Sequence, residues 1–273
     1  MKKYICPSCE NSDFNKISFF FDGHQKLVKC KICKLIFRIR LESFNEEINY
    51  SGETLSESYK KDLLDSISFR KKYKSYILSL LKKYVASPVS ILDIGCSVGS
   101  FLNVAGEIFP GTKLIGIEPS LAEVNLGKSL FANITFINTL YRKELFNHEE
   151  FDIIHHSHVI EHIVHPKDFI ENNYYHLKKG GILLITYPSA KSFYFFKDYI
   201  TRKNPGHIIQ NQHFNYFTSS SMRNLLQNNG FDILEELYGL TYIKRESAFY
   251  KFTIDPVFKF FKIGEPYFIC RKR

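Results

Sequence analysis

After Ser87-Pro88 the chain alternates short β-rich runs with helical stretches, and this alternation restricts the possible fold more than any other feature of the sequence. Strand candidates are Ser90 to Ile94, Lys113 to Glu118, Ile134 to Asn138, Phe151 to His156, Gly181 to Tyr187, Phe231 to Tyr238 and Tyr267 to Arg271. Helices are predicted over Gly99 to Ile108, Leu121 to Leu130, Pro166 to Leu177 and Ser219 to Asn228. Such alternation specifies an α/β fold with a parallel, doubly wound sheet, whose ligand lies at the C-terminal strand ends near the topological switch. Functional residues are therefore expected just after the early strands.

With 273 residues, 44% of them hydrophobic, the chain can bury one sizeable core with a small appendage beside it. A charged content of 24% and the absence of repeats exclude disordered, collagen-like and coiled-coil readings. No run of about 18 uncharged apolar residues is present, so no membrane-spanning helix is expected. The start, Met1-Lys2-Lys3-Tyr4-Ile5-Cys6-Pro7, has no apolar core and reads as no signal peptide, which makes a cytoplasmic, reducing compartment the expectation.

In reducing surroundings paired cysteines are metal ligands or catalytic groups more often than disulfides. Cys6-Pro7-Ser8-Cys9 and Cys30-Lys31-Ile32-Cys33 form two C-x2-C pairs separated by twenty residues. Each pair fits a tight knuckle turn with both sulfurs aimed at one ion, and Phe14 to Val28 supplies a hairpin turning at Asp22-Gly23. This reads as a small zinc ribbon over residues 1–45, with Cys6, Cys9, Cys30 and Cys33 holding a structural Zn2+ and leaving no position open for catalysis.

Residues 46–89 read as a linker and an N-terminal helix, with Leu63, Leu64, Ile67, Tyr76, Ile77, Leu80, Leu81 and Tyr84 at helical spacings among lysines. Of the net charge of +9, most lies in residues 1–89, where 17 Lys and Arg face 10 Asp and Glu. Four thiolates around a dication remove two of those units, and the Lys71-Lys72-Lys74 cluster reads as a solvated face, so nucleic acid is not the expected partner.

The catalytic domain is expected over residues 90–273. In Ile91-Leu92-Asp93-Ile94-Gly95-Cys96-Ser97-Val98-Gly99-Ser100 a buried strand runs into a Gly-rich turn that opens a helix, so backbone N–H groups and the positive helix end face a ligand. Neither a dinucleotide fingerprint nor a nucleoside-triphosphate loop is present. Asp93, before the first Gly, suits a cationic or amine-bearing ligand. Glu118, 25 positions later at the end of the second strand, can accept hydrogen bonds from both hydroxyls of a ribose. Cys96 reads as a small loop residue and Cys270 as a core residue.

Asp93, Gly95, Gly99 and Glu118 together resemble the class I S-adenosylmethionine-dependent methyltransferases, with a seven-stranded Rossmann-like sheet. The resemblance covers residues 56–273 and implies S-adenosylmethionine as cofactor. It implies binding through Asp93, Gly95, Cys96, Ser97, Gly99, Glu118, Pro119, Asn138, His156 and Ser157. The middle Gly of the family's D-x-G-x-G-x-G loop is Ser97 here. Phe151-Asp152-Ile153-Ile154, His158-Val159-Ile160-Glu161-His162 and Leu177-Lys178-Lys179-Gly180-Gly181 look like the quinone-biosynthesis-type branch.

Methyl transfer to oxygen or carbon needs a base, and histidine is apt near neutral pH. One histidine group, His155, His156, His158 and His162 with Glu161, follows strand four; another lies in Asn204 to Thr218, where His213 leads an aromatic segment. The zinc module and Gln212-His213-Phe214-Asn215-Tyr216-Phe217 are similar to sugar C-methyltransferases acting on nucleotide-linked keto sugars, which carry Glu-His where this chain has Gln212-His213. That resemblance implies His213 as base, with Glu161 and His162 in the catalytic group. The expected acceptor is a small metabolite, preferably a nucleotide-linked sugar or other glycan or surface-polysaccharide precursor, methylated on oxygen or carbon.

Other readings stay open at this point. Glu161 and His162 can simply cap or orient the next helix, and His213 can be a hydrogen-bonded histidine of an aromatic cluster. A metal-assisted mechanism needs ligands that Glu161 alone does not supply. RNA or protein methylation would use the ribbon for recognition, but no D/N-P-P-Y tetrad or Pro-Cys nucleophile is present. A non-catalytic ribbon module is the remaining alternative. The aromatics Phe249-Tyr250, Phe258, Phe260-Phe261 and Tyr267-Phe268 either pack between the last strands or dock an acceptor or a second subunit.

Overall fold

The computed structural model describes residues 4–20, 25–40, 54–147, 150–190, 212–238 and 265–273. The first element is a meander of β1 (Phe14–Phe20), β2 (Gln25–Cys30) and β3 (Ile36–Arg40), paired antiparallel. The hairpin turn expected at Asp22-Gly23 lies outside the described residues. Helix α1 (Glu57–Leu81) follows, capped by the Ser56 hydroxyl, which accepts the Tyr59 N–H, and it buries Ile77, Leu78 and Leu81.

The alternation then unfolds as the spacing predicts: β4 (Ser90–Ile94), α2 (Ser100–Ile108), β5 (Lys113–Ile117), α3 (Leu121–Leu130), β6 (Thr135–Ile137), β7 (Phe151–Ser157), α4 (Pro166–His176) and β8 (Leu177–Thr186). From residue 212 onward come β9 (Asn215–Tyr216), α5 (Ser219–Asn228), β10 (Phe231–Tyr238) and β11 (Pro266–Lys272). Helix α5 starts at a capping box in which Thr218 and Ser221 satisfy each other's backbone N–H groups. No described helix is long and apolar enough to cross a membrane.

Seven strands form one sheet in the order β10-β11-β8-β7-β4-β5-β6, with β4 parallel to β5 and β7, and β5 parallel to β6. Every residue of β4 is buried, as expected of a strand covered on both faces. The chain leaves β4 toward β5 and β6, then returns to the other side of β4 at β7. The switch point therefore falls between β4 and β7, where Asp93 stands in register with His155 and Ile94 with His156.

The sheet is mixed where the sequence pattern predicts a wholly parallel one. Leu177 to Gly180, expected at a helix end and turn, belongs to β8, with Gly180 in the left-handed region. Tyr267 and Phe268 are buried, whereas Phe249, Tyr250, Phe258, Phe260 and Phe261 lie outside the described residues.

The chain divides into two compact units, one of Met1–Ile48, His158–Glu171 and Thr186–Phe268, the other of Asn49–Ser157, Asn172–Ile185 and Ile269–Arg273. Within the first, β9 completes a four-stranded sheet, β1-β2-β3-β9, by pairing Phe37 with Asn215 and Ile36 with Tyr216.

Candidate active site

The loop after β4 has three left-handed residues within five, Gly95, Ser97 and Gly99. Glycine adopts that conformation freely; a side chain at 99 would meet a second obstacle, because a Cβ there lies 2.7 Å from the Phe136 ring. Gly95 and Cys96 both donate their N–H groups to the Ile117 carbonyl, at 2.8 and 3.0 Å, which ties the loop to the end of β5. No side chain caps α2, so its first N–H groups can serve an anionic ligand group. Ser97 tolerates the left-handed turn in place of the middle Gly, and its buried hydroxyl has no hydrogen-bond partner among the described residues.

Glu118 follows β5 and closes the loop. Its Oε2 accepts the Ser97 N–H at 3.0 Å and its Oε1 accepts the Ser120 N–H at 2.9 Å. Burial pushes its carboxyl up to about 7, against those two N–H bonds. Asn138 fixes the turn behind it, donating its side-chain amide to the carbonyls of Glu118 and Pro119, each at 2.9 Å. Cys96 fills the space over Gly116, where a Cβ would come within 2.5 Å of its sulfur, and burial raises its thiol pKa far out of the nucleophilic range.

Asp93 and His155 are buried and joined at 2.7 Å, and His155 stacks on Phe101 with ring centroids 3.6 Å apart. This pairing depends on the β4–β7 register, which no local pattern reveals. Lys74 does not point from a solvated face: its ammonium donates to the Ser100 hydroxyl at 2.5 Å, and burial, then Arg70, lowers it to about 8. His156 is fully buried and held neutral, lowered to about 3 by burial and then by His155; Ser157 ends β7.

A second cluster lies wholly in the other unit. Glu161 is 1% exposed, with His158 Nδ1 at 3.5 Å and His162 Nε2 at 4.0 Å from its Oε1. His158 also faces Glu265, Nε2 to Oε2, at 3.4 Å. Burial opposes the imidazolium, yet Glu265 and Glu161 overcome it and raise His158 to about 10. The Phe214 N–H donates to the Glu161 carbonyl at 2.8 Å and brings His213, 5% exposed, edge-on to the His162 ring at 4.6 Å. Glu161, His162 and His213 are thus gathered in one place. His158 and Glu265 belong with them, and Glu265 carries no local sequence signal. Residues 204–211 of the predicted acceptor segment lie outside the described residues.

The four N-terminal cysteines are free thiols that also converge, with Cys6 and Cys33 sulfurs 3.5 Å apart and Cys9 and Cys30 likewise. Sulfurs about 2.3 Å from a tetrahedral zinc stand about 3.8 Å from one another, so the set fits that ion. Hydrogen bonding with Cys33 and then burial push Cys6 up, and burial first of all raises Cys9 to about 11. Four thiolates coexist here only around a cation.

Residues 65–236 match the family model described as a methyltransferase domain. The chain belongs to that methyltransferase family. The enzyme is S-adenosylmethionine-dependent, as its loop, Glu118 and sheet order lead one to expect. It is 27% identical over 177 residues to the ubiquinone biosynthesis O-methyltransferase of Rickettsia bellii, covering 62% of this chain and 72% of the relative. It is also 27% identical over 124 residues to the ubiquinone/menaquinone biosynthesis C-methyltransferase of Campylobacter jejuni. That match takes in 44% of this chain and about half, 52%, of the relative. The plantazolicin methyltransferase BpumL in complex with S-adenosylhomocysteine shares the fold at 17% identity, with a TM-score of 0.57 over 79% of this chain and 89% of its own. An S-adenosylmethionine-dependent methyltransferase from Clostridium acetobutylicum does so at 13% identity, with a TM-score of 0.55 over 79% and 99%.

Proposed function

We propose that this methyltransferase transfers the S-adenosylmethionine methyl group to a small-molecule acceptor, a nucleotide-linked sugar or related glycan or surface-polysaccharide precursor, in the cytoplasm. The cofactor supplies a methyl group on a sulfonium, ready for in-line displacement. The loop residues Asp93, Gly95, Cys96, Ser97 and Gly99 take its methionine part, Glu118 and Pro119 its ribose side, and Asn138, His156 and Ser157 complete the binding set. Glu161, His162 and His213 handle the acceptor's proton, with the charged His158 behind them. A structural Zn2+ on Cys6, Cys9, Cys30 and Cys33 holds the ribbon together.

The observation that carries this reading is the gathering of Glu161, His162 and His213 from segments some fifty residues apart, in a chain of a methyltransferase family. Distant polar groups buried together call for a reason beyond packing. A ring hydroxyl of the quinone-precursor type is a second reading, favoured by what the Rickettsia and Campylobacter relatives are named for. Release of S-adenosylhomocysteine in the presence of a panel of nucleotide-linked keto sugars and hydroxylated quinone precursors separates the two. Turnover confined to the sugars is expected; turnover confined to the ring hydroxyls replaces the first reading with the second.

A further inference from the structure

We infer that Glu161, His162 and His213 form a metal site of their own, for a divalent ion of the zinc type, separate from the four cysteines. Each residue offers one donor atom, and these atoms all lie within 4.8 Å of one another. Two come from the turn after β7 and the third from the segment leading into β9, and the Phe214 N–H bond to the Glu161 carbonyl fixes the two segments together.

Glu161 is the reason to look for an ion. Neither of its buried carboxylate oxygens has a hydrogen bond among the described residues, and the two histidines beside it stand off at 3.5 and 4.0 Å. His158 stands 3.5 Å from Glu161 and 3.4 Å from Glu265, so two carboxylates share one imidazole, and a further cation beside Glu161 is favoured.

His162 is the second reason. Its Nδ1 meets the Gln212 carbonyl at 3.1 Å, and since a carbonyl only accepts, Nδ1 carries the hydrogen. Nε2, the nitrogen nearer Glu161, then presents its lone pair. A backbone carbonyl on the far nitrogen is the arrangement that orients metal-binding imidazoles and fixes their tautomer. His213, edge-on to the His162 ring, supplies the third donor.

Two imidazoles and one carboxylate suit zinc and its neighbours, whereas magnesium and calcium take oxygen ligands. Donors held about 2.0–2.2 Å from one ion require the group to close by about an ångström, and three protein ligands leave a fourth tetrahedral position open. With the ion bound, His213 serves as a ligand, which replaces the role of base given to it under the proposed function. That the open position receives the acceptor's oxygen rests on the methyl-transfer reading; that an ion binds does not.

The test is the zinc content of full-length, untagged protein after equilibration with zinc chloride and removal of loose metal, for wild type, Glu161→Gln and His213→Gln. Circular dichroism and urea unfolding of the same samples report folding, calorimetry with S-adenosylhomocysteine runs alongside, and His162→Gln replaces any variant that does not fold. Each variant is expected to hold one zinc ion fewer than wild type. Equal zinc content in wild type and either folded variant overturns the site. If none of the three proteins binds S-adenosylhomocysteine, the methyl-transfer reading fails while the difference in zinc content still decides the metal site.

Discussion

Arg38, in the third strand of the ribbon, donates its backbone N–H to the Phe214 carbonyl at 3.0 Å, and its guanidinium reaches the Tyr216 hydroxyl at 2.9 Å. Phe214 in turn donates to Glu161. The four-cysteine module therefore positions the residue next to His213, which gives it a part in arranging the cluster of Glu161, His162 and His213. The Asn224 side-chain amide, which donates to the Cys33 carbonyl at 3.4 Å, adds a further tie between a knuckle and α5.

Removing the cysteine-bound metal should disable turnover before it disables cofactor binding. A Cys30→Ser variant is expected to lose its structural zinc and its methyl transfer, since β3 no longer holds the His213 segment in place. Its S-adenosylhomocysteine affinity, measured by calorimetry, should stay within a few-fold of wild type. Unchanged turnover in a variant that has lost the cysteine-bound zinc would show that the ribbon is not a positioning element.

In the proposed ribose site, Glu118 should make cofactor affinity depend on pH. Its folded pKa, about 7, lies above the ordinary carboxylate value, so the stability contributed by the protonated form is present at low pH and lost as pH rises through about 7. Ribose hydroxyls donate best to the ionised form, so S-adenosylhomocysteine should bind more tightly as pH rises from about 6 to 8. Glu118→Gln should flatten that profile, and Glu118→Ala should weaken binding by about 1.5–3 kcal/mol, the scale of hydrogen bonds to charged groups. An unchanged affinity removes Glu118 from the ribose site.

His213→Ala is expected to lower turnover by about 100-fold or more while cofactor affinity is kept, since the residue serves the acceptor side both in the proposed base role and as a ligand of the inferred ion. Steady-state rates with calorimetry on the same preparation check this. Normal turnover ends any role for His213 in the chemistry.

Gly99→Ala places a side chain in the left-handed region, at φ +81, and against the Phe136 ring. The conformation alone costs roughly 1–2 kcal/mol, and the contact adds to it. Urea unfolding should show a lower midpoint than wild type, with weaker cofactor binding, because Gly99 is also the N-cap of α2.

The local parts of the fold were legible in the sequence. Leu121–Leu130 and Ser219–Asn228 emerge with the boundaries read from spacing, and Ser56 and Thr218 cap their helices because Ser and Thr side chains satisfy backbone donors there. The Gly-rich loop and Glu118 were legible too, since they follow strand ends that hydrophobic patterning marks. What joins distant segments was not. The pairing of β9 with β3, the place of β11 between β8 and β10, and the Asp93–His155 contact arise from long-range register, for which Asn215, Tyr216 and His155 carry no local signature. Lys74 looks solvated in the sequence because a charge among other charges gives no sign that its stem crosses onto α2.

The central claim, a loop at residues 93–99 working with Glu118 to hold the methyl donor, is tested most directly by calorimetric titration of the full-length protein with S-adenosylmethionine and S-adenosylhomocysteine, with zinc content recorded on the same sample. Micromolar binding of both at one site per chain, weakened in Glu118→Ala, is the expected result. A folded, zinc-loaded protein that binds neither would contradict the account and show that Ser97 has closed the loop to the cofactor.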